Sequence, residues 1–404
     1  MQQRIRLGVL MVVFGLVSSL SIHAQSERAV WSFYMGFWAG QQSWDWQADV
    51  LDDYPAIGAY DSRDPGVAGT QIDQAKSAGI DAFVVSWFGL EDGGTTTPVV
   101  NNMLDRAVER GFKVGVAVDI FSSEFNRSRD ALVNSLNWLV HDRANHPAYL
   151  RYNGKPVIFF AFQDRAGFST ADWQSIREQV DPSRNTIWIA EGISGCCIYG
   201  GAMDGMYAFN ISWAGGSSGR YRSERNATMN AGGSVYVPMV HPGWDETKIA
   251  VRDGRSNPSG VRNRAGGQFL ANSFNGAVAS GADVIMIGTW NEYMENSHIE
   301  PSQVYGSQSL DTLRTLIADW KGNALVDEPV AESSVPESAP SGRVAVMNTN
   351  LNVRATGAID GAKLGTAPAG RAYVILSEAE GWYQIDFDGQ LGWVSGNYIS
   401  IENR

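Results

Sequence analysis

The chain has 404 residues, which is enough for one large domain and one small one. Its formal net charge is −12, and this acidic balance argues against nucleic acids and anionic membrane surfaces as partners, while neutral sugars remain open. Two cysteines are too few for a disulfide framework, and the spacing of Cys and His fits no metal motif. The composition therefore predicts neither a metal nor another cofactor.

Residues 1–24 have the pattern of a secretory signal peptide. Arg4 and Arg6 precede an apolar stretch over residues 7–20, and Ala24 is a small residue suited to a cleavage site. A single membrane anchor is the alternative, but the stretch is short for crossing a bilayer. We therefore expect a secreted or periplasmic protein with no membrane span after cleavage.

Eight apolar runs predict strands, and amphipathic stretches between them predict helices. Most runs are continuous, as expected where both faces of a parallel strand are covered. The runs are residues 31–38, 82–88, 113–120, 156–162, 186–191, 204–211, 235–241 and 283–290. This alternation predicts an α/β fold, a (β/α)8 TIM barrel over residues 25–322. An open doubly wound sheet is the alternative, although no Gly-rich phosphate loop follows the first strand.

Two local features refine this prediction. In the helix after the second strand, Thr97 is the expected cap, Pro98 suits the first turn and Gly111 is the expected stop. The connection 193–203 is short for a crossover helix, so we expect a loop or a single turn there.

The pair Cys196 and Cys197 lies within that short connection. In an oxidising compartment the two neighbours could form a disulfide, which would present a flat apolar platform near the cleft. Two thiols without a role are the alternative.

The composition changes after residue 322. Residues 323–342 are rich in Pro, Ser, Ala and acidic residues, which is typical of an interdomain linker. Residues 343–404 alternate short apolar runs with Gly turns, which predicts a small C-terminal all-β barrel.

Glu292 and Glu295 directly follow the eighth predicted strand. Cleavage of a glycosidic bond needs one carboxyl group that gives a proton to the leaving oxygen and a second carboxylate that acts as base or nucleophile. The pair is therefore the candidate catalytic centre. A solvated loop with two surface acids is the alternative.

Polar and aromatic residues recur near the ends of the other predicted strands, where a barrel collects its reactive groups. Each taken singly is more often structural, but their convergence at one end indicates a binding site. Aromatic rings there could stack on the C–H faces of sugars. For the segment 60–65, an ion pair between Asp61 and Arg63 is the structural alternative. The candidate substrate-binding residues are Asp61, Arg63, Trp87, Asp119, Asn210, His241, Trp244, Asn291 and Tyr293.

Several of these segments resemble glycoside hydrolase family 99. They occur in the family's order across roughly residues 30–320 and are Tyr60–Pro65, Ala78–Trp87, His146–Arg151, Pro242–Asp245 and Thr289–Glu295. The resemblance implies a (β/α)8 enzyme that cleaves α-mannosidic bonds within a polysaccharide or oligosaccharide and retains the anomeric configuration. By the same resemblance, Glu295 is the general acid and then the general base. Glu292 would deprotonate the sugar 2-hydroxyl and give a 1,2-anhydro sugar intermediate.

The chain departs from the family between the two glutamates, where Tyr293 and Met294 stand in place of the common Trp-His. This departure leaves the sugar open. It also keeps a second hypothesis in view, a non-catalytic protein that binds carbohydrate or the cell envelope.

The C-terminal segment resembles a bacterial SH3 domain. The similar segments are Leu351–Arg354, Gly381–Ile385 and Gly392–Ser395. Because such modules often bind peptidoglycan or other envelope components, the resemblance implies an envelope ligand for residues 343–404.

Overall fold

The computed structural model describes most of the chain in two compact units. The described residues are 28–39, 46–47, 49–120, 128–255, 260–322, 343–354, 357–358, 363–379, 381–387 and 390–403. The units span Met1–Leu325 and Val326–Arg404. The predicted signal peptide and the predicted linker lie outside the described residues.

In the described part of the first unit, eight strands pair in parallel and form a barrel. The strands are β1 (Ala29–Tyr34), β2 (Ala82–Trp87), β3 (Lys113–Asp119), β4 (Lys155–Ala161), β5 (Ile187–Glu191), β6 (Gly205–Tyr207), β7 (Val235–Val237, continuing as Met239–Val240) and β8 (Val284–Ile287). A short strand, Arg151–Tyr152, pairs in antiparallel fashion with the start of β4.

The seventh strand closes the barrel by pairing on both sides. Its first segment pairs with β6 and its second segment with β8, which in turn pairs with β1. Pro238 separates the segments because proline has no N–H to give to the ladder, while its carbonyl accepts a hydrogen bond from Met286 N at 2.9 Å. The predicted TIM barrel is confirmed, and the open-sheet alternative is wrong.

Eight helices connect the strands among the described residues of this unit. They are α1 (Pro65–Ser77), α2 (Thr97–Arg110), α3 (Arg129–His141), α4 (Thr170–Val180), α5 (Ser218–Asn230), α6 (Thr247–Arg252), α7 (Gln268–Ala279) and α8 (Gln308–Lys321). Short 3-10 turns lie at Arg143–Asn145, Gln163–Ala166, Tyr199–Gly201, Ser212–Ala214 and Ala265–Gly267. The turn at Tyr199–Gly201 is the single turn expected between β5 and β6. None of the described helices has the length and apolar character needed to cross a membrane.

The start of α2 differs from the prediction. Thr97 is the first residue of the helix and does not cap it. Thr96 occupies the N-cap position, without a capping hydrogen bond from its side chain. The carboxylate of Asp92 takes the capping role, accepting hydrogen bonds from the backbone N–H groups of Thr96 at 2.6 Å and Thr97 at 3.1 Å. Gly111 ends the helix as expected, in the left-handed region at φ 61°.

Aromatic side chains fill the barrel interior. The ring of Phe33 on β1 stacks with Tyr207 on β6 at 6.3 Å between centroids, and Phe159 on β4 meets the same tyrosine edge-on at 5.4 Å. Since these three strands are not neighbours, their rings meet through the interior. The barrel is therefore a packed core that supports its upper loops.

Several strands are shorter than the apolar runs that predicted them. β1 ends at Tyr34, β6 at Tyr207 and β8 at Ile287. The runs continue because the loops above the barrel are themselves buried, as Trp38 and Trp290 show at 1% and 0% exposure. Burial, and not strand pairing, sets the length of an apolar run here.

The described part of the second unit is a small antiparallel barrel, as predicted. Its strands are β9 (Arg343–Met347), β10 (Leu351–Arg354), β11 (Lys363–Ala367), β12 (Ala372–Ala379), β13 (Trp382–Phe387), β14 (Gln390–Ser395) and β15 (Ile399–Asn403), with a 3-10 turn at Gly396–Tyr398. The strand order is β11-β10-β14-β13-β12-β9-β15. Alternate apolar side chains such as Val353, Ile385 and Val394 form its core.

Candidate active site

The loop after β8 is fastened to the end of β1 and to the loop that follows it, by its backbone and by one amide side chain. Trp290 N donates to Phe33 O at 2.7 Å. The side chain of Asn291 accepts from Met35 N at 2.7 Å and donates to Met35 O at 3.0 Å. These bonds hold the loop at the carboxyl ends of the strands, the face where barrel enzymes carry their reactive groups.

Glu292 is buried in this loop, at 4% exposure. Its carboxylate Oε1 accepts a hydrogen bond from Met294 N at 3.0 Å, and its own N–H donates to Thr289 Oγ1 at 2.8 Å. Its carbonyl accepts from Ser297 N at 3.1 Å. The turn and the carboxylate therefore fix each other's orientation.

Glu295 is partly exposed as a residue, yet its Oε2 is buried without a hydrogen-bond partner among the described residues. Burial raises the pKa of this carboxyl well above its usual range, and the negative charges of Glu292 and Glu246 push the pKa the same way. Arg255 opposes them. Glu295 therefore holds its proton at a pH where an ordinary glutamate is ionised, which suits a general acid.

A buried glutamate, Glu300, holds the loop after β8 in place. Glu300, at 2% exposure, accepts hydrogen bonds from Gln71 Nε2 at 2.7 Å, Tyr293 OH at 3.0 Å and Tyr60 OH at 3.1 Å. The hydroxyl of Tyr60 also accepts from Asn291 Nδ2 at 2.9 Å. Burial raises the pKa of Glu300 to about 7. Glu300 thus links α1, the loop after β1 and the loop after β8.

His298 also holds the loop after β8 in place. Its ring stacks on Tyr293 at 4.1 Å between centroids, and its Nε2 hydrogen-bonds Asp53 Oδ2 at 3.1 Å. Arg264 Nη2 lies 3.3 Å from His298 Nδ1. Burial, followed by the charge of Arg264, lowers the pKa of His298 to about 3, so the ring is neutral and its contact with Asp53 is a hydrogen bond to a carboxylate.

Residues 41–316 match the model of glycosyl hydrolase family 99, and residues 349–400 match the model of the bacterial SH3 domain. The chain belongs to glycosyl hydrolase family 99. Both resemblances predicted from the sequence are confirmed.

Similar proteins include the glycoprotein endo-alpha-1,2-mannosidase of Xenopus laevis, 27% identical over 265 residues that cover 61% of this chain and 58% of the relative. The same enzyme of Rattus norvegicus is 26% identical, with 61% and 56% covered. The glycoprotein endo-alpha-1,2-mannosidase-like protein of Homo sapiens is 27% identical over 269 residues, with 61% and 56% covered. The chain thus spans a little over half the length of these curated relatives.

A solved structure of the GH99 endo-alpha-mannosidase from Bacteroides thetaiotaomicron superposes with a TM-score of 0.62 at 23% identity, covering 74% of this chain and 99% of that chain. A glycoside hydrolase-like protein superposes with a TM-score of 0.56 at 16% identity, covering 77% and 97%. Both similarities show the fold.

Three of the predicted substrate-binding side chains lie in the core of this family 99 barrel. Trp87 is at 0% exposure, stacked on Trp138 at 5.3 Å. His241 is also at 0%, and burial lowers its pKa to about 4. Trp244, at 3%, meets the His241 ring edge-on at 5.7 Å. A role of these buried side chains in substrate binding stays a prediction.

Asn291 and Tyr293, two further predicted contacts, lie within a buried polar network. They are at 0% and 1% exposure, and hydrogen bonds within the protein engage the Asn291 amide and the Tyr293 hydroxyl. They therefore position the loop that carries Glu292 and Glu295, and a direct contact with substrate stays a prediction.

Asp61 and Arg63 form an ion pair with each other. Arg63 Nε and Nη2 donate to the two carboxylate oxygens of Asp61 at 2.8 Å and 2.5 Å. This pair lowers the pKa of Asp61. Asp61 also lines a surface cavity of about 620 Å³ beside the start of α1. The structural alternative for this segment is thus observed, and a role of the pair in sugar binding stays a prediction.

Asp119 and Asn210 are the remaining predicted contacts, and both are partly exposed. Asp119 is the last residue of β3. Asn210 lies beyond the end of β6, where its Oδ1 accepts from Ser212 N at 3.1 Å and Ser212 Oγ at 2.8 Å. Their role in sugar binding stays a prediction.

Two further acidic residues of the site were not among the predicted contacts. Glu191 closes β5, where burial raises its pKa to about 7 although Phe162 N donates to its Oε2 at 2.9 Å. Glu246 is at 4% exposure and pairs with Arg255 at 2.6 Å. The position of Glu191 at a strand end was a signal for it, whereas Glu246 follows no pattern in the sequence. Among the described residues, no group of His, Cys, Asp and Glu has an arrangement that could hold a metal ion.

Proposed function

We propose that this protein is a retaining glycoside hydrolase that cleaves α-mannosidic bonds inside a polysaccharide or oligosaccharide. The observation that carries the proposal is the Glu295 carboxyl, kept protonated by burial and by Glu292 in the loop after β8. Membership of glycosyl hydrolase family 99 supports the reaction class. The names of the relatives, endo-alpha-1,2-mannosidases, support the sugar and the internal cleavage.

In the first step, Glu292 takes the proton of the 2-hydroxyl of the sugar that will become the new reducing end. The freed O2 attacks the anomeric carbon and forms a 1,2-anhydro sugar. The glycosidic C–O bond breaks, and Glu295 gives its proton to the leaving oxygen.

In the second step, Glu295 is a carboxylate and acts as a base toward water. The water oxygen attacks the anomeric carbon, the three-membered ring opens, and Glu292 returns its proton to O2. Two inversions at the same carbon give net retention of configuration.

The coupling between the two carboxyl groups helps to time the proton transfers. The charge of Glu292 raises the pKa of Glu295 in the resting protein. When Glu292 takes the sugar proton that charge disappears, and the pKa of Glu295 falls as this residue must release its own proton. One event therefore promotes the other.

The surroundings favour a neutral sugar. Glu191, Glu246 and Glu292 all contribute negative charge at the Glu295 carboxyl. An anionic glycan would be repelled there. The predicted signal peptide supports secretion or export to the periplasm, and the bacterial SH3 match supports an envelope component, such as peptidoglycan, as ligand of the second unit.

The test is oligosaccharide release from a panel of α-linked glycans that includes α-mannans. Glu295→Gln should lower the rate by about 10²–10⁴-fold, since it removes acid and base assistance. Glu178→Gln is the matched control, because Glu178 lies on α4 with a side chain 62% exposed. Equal release by wild type and Glu295→Gln would contradict the proposal. Glycan affinity without any product would favour the non-catalytic alternative.

A further inference from the structure

Exposed apolar side chains lie on the loops that follow β5 and β6. Ile193 is 44% exposed and Trp213 is 45% exposed, and Trp213 is the exposed tryptophan among those that the structure describes. Cys196 is exposed as well, whereas its disulfide partner Cys197 is buried. We call Ile193, Cys196, Cys197 and Trp213 the β5–β6 rim. Large apolar side chains that stay exposed often mark a binding surface.

The loop after β5 and the loop after β6, which carry the β5–β6 rim, both contact one ion pair of α5. Ser194 N donates to Glu224 Oε2 at 2.5 Å, and Glu224 pairs with Arg220. The guanidinium of Arg220 lies over the Trp213 ring at 4.6 Å from its centroid. The indole N–H donates to Asn210 O at 3.1 Å. The ring is thus held by one face and one edge, while nearly half of the residue stays exposed.

The disulfide is built against the end of β5. A Cβ added to Gly192 would lie 2.5 Å from Cys196 Sγ and 2.9 Å from Cys197 Sγ, so a residue with a side chain does not fit there. Gly192 N donates to Tyr207 O at 2.8 Å, which ties this point to the end of β6. The preceding residue is Glu191, whose charge acts on the Glu295 carboxyl. The β5–β6 rim therefore starts at the carboxyl end of β5, on the face of the barrel where the loop after β8 carries Glu295.

We propose that the β5–β6 rim is a distal subsite that binds a neutral hexose unit of the glycan whose scissile bond lies at Glu295. An indole face and an apolar disulfide suit the C–H face of a sugar ring, and the nearby acids disfavour an anionic one. The occupant is a further unit of the same chain because the rim starts at the carboxyl end of β5, on the face of the barrel that carries the acid. This subsite rests on the proposed function.

The first test compares kcat/KM for long and short α-manno-oligosaccharides that share the scissile bond. Trp213→Ala should lower the ratio of long to short substrate by about tenfold, the size of one lost stacking contact. Trp213→Phe should restore most of the ratio, because it returns an aromatic face. Tyr398→Ala is the control, since Tyr398 is an exposed aromatic residue of the other unit at 52% exposure. An unchanged ratio in Trp213→Ala would overturn the subsite.

A binding measurement separates this proposal from the proposed function. In the Glu295→Gln background, calorimetry with the long oligosaccharide should show that Trp213→Ala raises Kd by about tenfold. Affinity that depends on Trp213 in a protein whose wild type releases no product would keep the subsite and end the hydrolase proposal. Normal product release by wild type, with neither the long-to-short ratio nor Kd changed by Trp213→Ala, would keep the hydrolase proposal and end the subsite.

The disulfide has its own test. The double variant Cys196→Ala/Cys197→Ala should lower the ratio of long to short substrate by about threefold, because the β5–β6 rim loses its disulfide and keeps Ile193 and Trp213. An unchanged ratio would remove the disulfide from the subsite.

Discussion

The loop after β8 and the β5–β6 rim lie at the same end of one barrel, and they are built in opposite ways. In the β8 loop, Asn291 and Tyr293 are at 0% and 1% exposure, and both are hydrogen-bonded to neighbouring elements. In the rim, Ile193 and Trp213 are 44% and 45% exposed. Proton transfer needs carboxyl groups held in one geometry, and a buried polar network provides this. Recognition of a long flexible chain needs exposed faces.

The same contrast separates two carboxyl groups with raised pKa values. Glu191 beside the rim receives a hydrogen bond from Phe162 N, and its pKa is about 7. Glu295 has a buried Oε2 with no such partner in the described structure, and Glu292 stands near it. Burial is the largest cause of the raised pKa in both groups; at Glu295 no hydrogen bond to Oε2 opposes it, and the charge of Glu292 adds to it.

The largest effect is expected when Glu295 is replaced and the rates are compared for two leaving groups, one that needs a proton from Glu295 and one that does not. Glu295→Gln should slow cleavage of an oligosaccharide by about 10²–10⁴-fold, but should slow release of a weakly basic nitrophenol far less. Glu292→Gln should be slow with both substrates, because the 2-hydroxyl then keeps its proton. Steady-state rates on the two substrates check this, and an equal loss on both in Glu295→Gln would contradict its role as acid.

The support beneath the loop is tested by Asn291→Ala. This change leaves Met35 N–H and C=O buried without partners and removes the bond to Tyr60. We expect the free energy of unfolding in urea to fall by about 4 kcal/mol. Asn272→Ala is the control, since Asn272 is exposed on α7 and should change stability by less than about 0.5 kcal/mol. Equal stability of the two variants would show that the loop is held in another way.

The buried Glu300 predicts a dependence of stability on pH. Its pKa is raised from 4.5 to about 7 in the folded protein. Between these values the unfolded chain releases a proton that the folded protein keeps, so the free energy of unfolding falls as pH rises, by roughly 3 kcal/mol in all. Glu300→Gln should remove this share of the slope between pH 5 and pH 8, as measured by urea unfolding. Glu178→Gln should keep the slope, and a Glu300→Gln slope identical to wild type would refute the assignment.

The smallest effect is expected at the exposed ion pair. The side chains of Arg63 and Asp61 are 47% and 32% exposed, so water screens their attraction. Arg63→Ala should therefore change the free energy of unfolding by less than about 1 kcal/mol. A loss as large as that of Asn291→Ala would show that this segment belongs with the rigid part of the molecule.

The barrel and the glutamate pair could be predicted because their signals are local. Continuous apolar runs mark parallel strands, and Glu292 and Glu295 directly follow the last of these runs. Burial at the strand ends could not be predicted in the same way. Trp87, His241 and Trp244 look like cleft residues in the sequence, but all three side chains are buried. Glu246 shows the converse, since its effect on Glu295 depends on a fold that brings two loops together.

The most direct test of the account is the titration of the Glu295 carboxyl carbon by NMR, with ¹³C-labelled glutamate and Glu295→Gln to assign the signal. We predict a pKa well above that of a free glutamate, and a lower one in Glu292→Gln, where the neighbouring charge is gone. A Glu295 that titrates near 4.5 and does not respond to Glu292→Gln would contradict the account.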